Sequence, residues 1–159
     1  MPAYLHAWSL NITPHATLHR LLDGGLGPRV VEPMALVASA GILAAVAYAL
    51  RARSQPGTPA FDAAFGLAVA AVPLVAPIAE EHHLTVLLLP VALLLLAPDV
   101  TSRLNVALIA AAVLIGARYS LERFAALHAG PASVLMTGKM AGVALLAWLL
   151  GRRLRQVSA

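Results

Sequence analysis

Five apolar runs separated by short polar breaks account for most of this 159-residue chain, and they decide which solvent it folds in. The first is Met34 to Leu50, closed by Arg51 and Arg53, with Pro33 just before it at a position that suits a helix start. A polar linker, Ser54 to Pro59, leads to the second, Phe61 to Ala79, where Pro73 and Pro77 predict a kink near the far end. The tetrad Glu80-Glu81-His82-His83 interrupts the pattern, and Leu84 to Ala97 follows. A polar turn, Pro98 to Arg103, precedes the fourth run, Leu104 to Ala117. After a loop carrying Glu122, Arg123 and His128, the fifth runs from Pro131 to Leu150 and stops at a basic tail. The third and fourth runs are short, because a full crossing takes about 20 residues.

Composition supports the same conclusion. Hydrophobic residues make up 60% and charged residues 11%, too few to cover a water-facing surface, since a soluble domain carries roughly a quarter charged residues. Mean hydropathy is +0.83. The predicted fold class is therefore an all-α membrane protein of about five transmembrane helices, spanning residues 34–50, 61–79, 84–97, 104–117 and 131–150. Residues 1–33 form an outer loop or interfacial segment, and 34–159 the transmembrane helical region. Met1 to Leu22 lacks both the basic start and the uninterrupted apolar stretch of a signal peptide.

Net charge is +4, with a pI near 10.4. No basic run with interleaved aromatics accompanies it, which argues against nucleic acid as a partner. In a membrane protein the same excess marks cytoplasmic loops. With five alternating spans, Arg51, Arg53, Arg103, Arg152, Arg153 and Arg155 fall on one side, and Arg20, Arg29, Arg118 and Arg123 on the other. The larger set is predicted to be cytoplasmic, with the N-terminus outside and the C-terminus inside. The ten arginines to one lysine, with abundant Ala and Leu, suggest a GC-rich bacterial genome and hence a bacterial plasma membrane. Cysteine is absent, so disulfides, thiolate metal sites and cysteine nucleophiles are excluded.

In this topology all six histidines (His6, His15, His19, His82, His83 and His128) lie on the outer side, together with Asp23, Glu32, Glu80, Glu81 and Glu122. A pure membrane anchor has no need of one-sided polar chemistry. The compact Glu80–His83 tetrad sits where two proline-bearing runs meet the outer interface, and ionisable groups at membrane depth are usually functional. On a helix Glu80 and His83 share a face, so the carboxylate can orient the imidazole. The alternative is a solvated turn between two helices. Glu80-x-x-His83 is also half of a di-iron motif, but no second Glu-x-x-His is present.

His15 and His19 have the i, i+4 spacing of a zinc-binding pair, with Asp23 four residues on. A zinc protease needs Glu directly after the first His, where this chain has Ala16. An amphipathic interfacial helix, apolar at Leu18, Leu21 and Leu22, explains the pair better, and no metal or other cofactor is predicted. Asn11 and Thr13 are candidate caps for that helix. Lys139, inside the fifth run, either pairs with a lipid phosphate or with Glu80 or Glu81, or snorkels outward along its own stem. Gly138 and Gly142 form a small-xxx-small pair that lets another helix approach closely.

These features together resemble the C-terminal half of the polyprenyl-phosphate-sugar-dependent membrane glycosyltransferases of family 87. Asn11-Ile12-Thr13 followed by Leu18-His19-Arg20 is similar to that family's outer-loop pattern of Asn, Ser or Thr, and a downstream Arg. Ala76-Pro77-Ile78-Ala79-Glu80-Glu81-His82-His83 is similar to its Ser-Pro-x-Ser-Trp-x-His-His stretch, with Leu89-Pro90 following at the family's distance. Here Ala76 and Ala79 replace the small hydroxyls and Glu80 the aromatic residue. The resemblance implies the C-terminal part of a GT-C-like helical bundle. It implies transfer of mannose or arabinofuranose from a polyprenyl phosphate donor to an envelope glycolipid or glycan acceptor, among membrane lipids. Donor phosphate and sugar would be met by His82, His83, Arg20, Asn11, Glu80, Glu81 and Lys139. The family's catalytic aspartate lies in a first outer loop with no counterpart here, so the chain is expected to be an N-terminally truncated single domain, inactive alone. The competing class is a transporter or metal-handling membrane protein using the outer histidines.

Overall fold

The computed structural model describes residues 11, 13–22, 26–51, 54–76, 79–97, 102–117, 124, 127 and 130–158. Helix α1 covers Pro14–Leu22, α2 Pro28–Leu50 and α3 Pro59–Val75; a 3-10 helix, Glu81–Leu87, then runs into α4, Leu88–Leu95. Helix α5 covers Ser102–Gly116, and a second 3-10 helix, Pro131–Thr137, runs into α6, Gly138–Val157. No strand occurs among the described residues, so the all-helical class stands.

Two helices are long and apolar enough to cross a membrane, Arg29–Leu50 with 22 residues and Pro131–Val157 with 27. Pro59–Val75, His82–Leu95 and Leu104–Gly116 are apolar but shorter. The segment Glu81–Leu95 gains length from its opening 3-10 turns. Seven residues of 3-10 helix at about 2.0 Å and eight of α-helix at about 1.5 Å extend about 26 Å, close to the ~30 Å of a hydrocarbon core.

Helix starts and stops differ from the sequence reading in several places. The last helix does not stop at Leu150 but continues through the basic residues to Val157, and the third segment begins at Glu81 instead of Leu84. Pro33 does not open the first long helix; Pro28 does, at the first helical position where its absent N–H is no loss, and Pro33 sits inside α2. The predicted second run reaches Ala79, but α3 ends at Val75. Ala76 precedes Pro77 and takes an extended conformation (φ −61°, ψ 139°), because the proline ring disfavours the helical region for the residue before it. The break therefore ends the helix instead of kinking it, while Pro73 is accommodated inside. At its other end α3 is capped by Thr58, whose side chain accepts the N–H of Phe61 at 3.2 Å.

Helix α6 is the centre of the core. Its Val143, Leu146, Leu149, Leu150 and Leu154 are buried against Ala63, Leu67, Ala70 and Leu74 of α3 and against Leu108 and Ala111 of α5. Two glycines set how closely these helices approach. A Cβ on Gly142 would lie 2.8 Å from Leu114 Cβ and 3.0 Å from the carbonyl oxygen of Ala111; one on Gly66 would lie 2.8 Å from Leu150 Cδ2. Gly142 thus makes the close approach that the small-xxx-small spacing predicted, and the helix it meets is α5. Helix α2 has a different character. Leu36, Val37, Leu43 and Tyr48 are exposed along it, and an apolar helix with that much uncovered surface is suited to lipid contact.

Candidate functional site

Short-range capping starts α1. The Thr13 hydroxyl accepts the N–H of Ala16 at 3.1 Å, the bond an N-cap side chain supplies to the otherwise open first turn. Asn11 supports the turn from behind: its Oδ1 accepts the N–H of Thr13 at 3.3 Å.

The same Oδ1 also accepts the N–H of Ala79 at 3.2 Å, in the stretch between α3 and the first 3-10 helix. Arg20, two turns along α1, folds back so that Nη1 donates to the Asn11 carbonyl at 2.8 Å. The Arg20 carbonyl in turn accepts the N–H of Gly130, just ahead of the second 3-10 helix, at 2.8 Å. Thr17 adds a contact from its hydroxyl to Met140 Sδ at 3.6 Å. Asn11, Thr13, Arg20 and Ala79 are all at most 2% exposed. This buried polar knot joins α1 to both places where a 3-10 helix begins. Burial pushes the Arg20 pKa below its ordinary value, yet a guanidinium stays charged at neutral pH.

Beyond Ala79 lies the tetrad. Glu80 caps the 3-10 helix: its carbonyl accepts the N–H of His83 at 3.0 Å, and its own N–H donates to His83 Nδ1 at 2.9 Å. In the neutral ring, accepting at Nδ1 puts the proton on Nε2, which leaves that nitrogen as an N–H donor on an exposed residue. The sequence reading paired the Glu80 carboxylate with His83. That partnership is made instead through the Glu80 backbone N–H, while the carboxylate lies 3.5 Å from Nδ1 of His82. The two imidazole rings lie 4.0 Å apart, and His82 is exposed. Glu81 opens the 3-10 helix, and its side chain falls outside the described set.

Lys139 is placed apart from this group. Its ammonium donates to the carbonyl oxygens of Ile115 at 3.1 Å and Ala117 at 2.7 Å, capping the C-terminal end of α5, where the helix dipole favours a cation. These two carbonyl bonds stand beside the partners expected from the sequence, a lipid phosphate, Glu80 or Glu81, or a snorkelling path to water.

A second cluster was legible only in part. His15 and His19 stack on one face of α1 with ring centroids 5.0 Å apart. Their third neighbour is Glu32 of α2: His15 Nε2 lies 3.9 Å from its Oε2 and His19 Nε2 3.9 Å from its Oε1. Asp23, the acid the spacing suggested, lies outside the described residues, as do His6, Arg118, Glu122, Arg123 and His128. The sequence did carry a signal for Glu32, the sole acid in the 23-residue apolar helix α2.

No protein-family model, curated protein or solved structure matches this chain.

Proposed function

We propose that the chain is part of a membrane glycosyltransferase that moves mannose or arabinofuranose from a polyprenyl phosphate to an envelope glycolipid or glycan. In this reading the five apolar helical segments cross a bacterial plasma membrane as part of a GT-C-like bundle. The N-terminal side faces out and the basic C-terminal tail faces the cytoplasm.

The observation that carries the reading is the hydrogen bond from Ala79 N–H to Asn11 Oδ1. It joins the two segments whose residues resemble the family, Asn11 to Arg20 and Ala76 to His83, although 68 positions separate the bonded pair.

The roles within the site follow from exposure. Asn11 and Arg20 are buried and hold backbone, so they act as positioning residues. His82 and His83 are exposed at the outer end of the 3-10 helix and are suited to meet the donor phosphate. The acceptor hydroxyl oxygen bonds to the anomeric carbon as the bond from that carbon to phosphate oxygen breaks, and the phosphate leaves with the electron pair. Donors aimed at that oxygen stabilise the departing charge, and Nε2–H of His83 is one such donor. A general base takes the hydroxyl proton as the new bond forms.

The test is binding of the donor. The purified chain in detergent should bind radiolabelled polyprenyl-phosphate mannose or arabinofuranose saturably, in competition with polyprenyl phosphate. His82→Ala with His83→Ala should weaken binding about ten-fold, the loss of roughly one charge-assisted hydrogen bond. Absence of saturable binding of both donors would overturn the proposal.

A further inference from the structure

The cluster at the junction of α1 and α2 has no part in the glycosyltransferase reading and stands independently of it. We propose that His15, His19 and Glu32 form a binding site for a divalent transition-metal cation of the zinc class.

Geometry is the main argument. The ligand atoms of the three side chains all lie within 4.8 Å of one another, and each imidazole Nε2 faces a different oxygen of the same carboxylate at 3.9 Å. Donors held about 2.0–2.1 Å from a tetrahedral zinc ion are roughly 3.4 Å apart. Small side-chain rotations therefore close the set around an ion, and they fall mainly to Glu32, which is half-exposed while both histidines are more deeply placed.

The donor set fits the same ion. Two neutral imidazoles and one carboxylate match the borderline-soft character of zinc, whereas calcium and magnesium prefer all-oxygen sites. The i, i+4 spacing fixes two ligands on one helix face, and the third comes from a different helix. Coordination consequently ties the interfacial helix α1 to the first long apolar helix. Three protein ligands leave one position of a tetrahedron for water or an anionic oxygen. Ala16 occupies the position from which a zinc protease draws its base, so the site lacks that hydrolytic machinery.

The experiment uses the full chain purified in detergent and stripped with a chelator. Titration with Co²⁺, followed by visible absorption, should show the intense bands of tetrahedral cobalt saturating at one equivalent, and Zn²⁺ should displace them. His15→Ala and Glu32→Gln should each weaken binding by about ten-fold or more. His19→Cys guards against variants that simply misfold. The chain has no cysteine of its own, so a thiolate-to-cobalt charge-transfer band in this variant can arise only at position 19. That band, with binding retained, is the expected result. The proposal is overturned if the native chain shows no saturable cobalt spectrum, or if His19→Cys binds cobalt without the charge-transfer band. It is equally overturned if His82→Ala abolishes binding that His15→Ala leaves intact.

Discussion

Asn11 Oδ1 accepts two backbone N–H groups at once, from Thr13 at 3.3 Å within its own turn and from Ala79 at 3.2 Å across the fold. One amide oxygen thereby serves both the start of α1 and the approach to the Glu80–His83 tetrad. Both bonds are buried, where an amide group stripped of its partner costs more than the bond contributes when made.

Replacing Asn11 tests this directly. Asn11→Ala should lower stability by about 2–4 kcal/mol, from two buried N–H groups each losing an acceptor. Asn11→Asp keeps an acceptor oxygen and should recover part of the loss. Thermal unfolding in detergent measures both, and equal stability of Asn11→Ala and the native chain would show that the knot is incidental.

Arg20 is tested by substitution at its planar fork. Arg20→Lys keeps the charge and loses the fork whose Nη1 reaches the Asn11 carbonyl, and should lower the stability of the chain by about 1–3 kcal/mol in thermal unfolding. Stability equal to that of the native chain would show that the Asn11 contact is incidental. The pH dependence has a definite sign. Burial places the folded pKa below the unfolded one, so the unfolded state binds more protons only between the two values, and stability rises with pH there. That window is strongly alkaline, and across the neutral range Arg20 contributes no slope to a stability–pH profile.

Gly142 sets the spacing of α5 and α6. Gly142→Ala pushes a methyl against Leu114 Cβ and the Ala111 carbonyl, and should cost about 1–3 kcal/mol. Gly41, with open space around its Cβ position, is the control. Gly41→Ala should be neutral or slightly stabilising, since alanine is the better helix former. Similar losses at both positions would mean that packing is not the cause.

Lys139→Met should loosen the end of α5 locally. The variant removes the ammonium from the part-buried carbonyls of Ile115 and Ala117, at about 0.5–2 kcal/mol. Hydrogen exchange should quicken over the last turn of α5 and leave α3 unchanged. Uniform quickening throughout the chain would contradict a local capping role.

Topology is open to single-cysteine labelling, because the chain has no cysteine to remove first. A cysteine at the exposed His82 should react with an impermeant maleimide on intact cells, and one at Ser54 should react only after lysis. The reverse pattern would invert the orientation read from the arginines.

Much of the fold was legible from solvent preference alone. The apolar runs mark the helical segments, and two of the helices are long and apolar enough to cross a membrane. Helix ends were harder to read. Pro33 looked like a start because proline favours the first helical position, but Pro28 holds that position and Pro33 lies in the body of α2. The Pro77 break was visible as a proline and accounts for the extended Ala76, whereas the bond that ties Ala79 to Asn11 is a tertiary contact.

The site was legible as an inventory of residues. Asn11, Arg20, Glu80, His82 and His83 all stood out as polar groups in an apolar chain, and hydropathy, helix periodicity and capping preference are local properties that can be read position by position. Which of them meet is a property of packing. Asn11 reaches Ala79, Lys139 turns to the end of α5, and Glu32 completes a cluster with His15 and His19. Those pairings rest on helices brought together by the buried apolar faces of α3, α5 and α6, and no local pattern records that choice of neighbours.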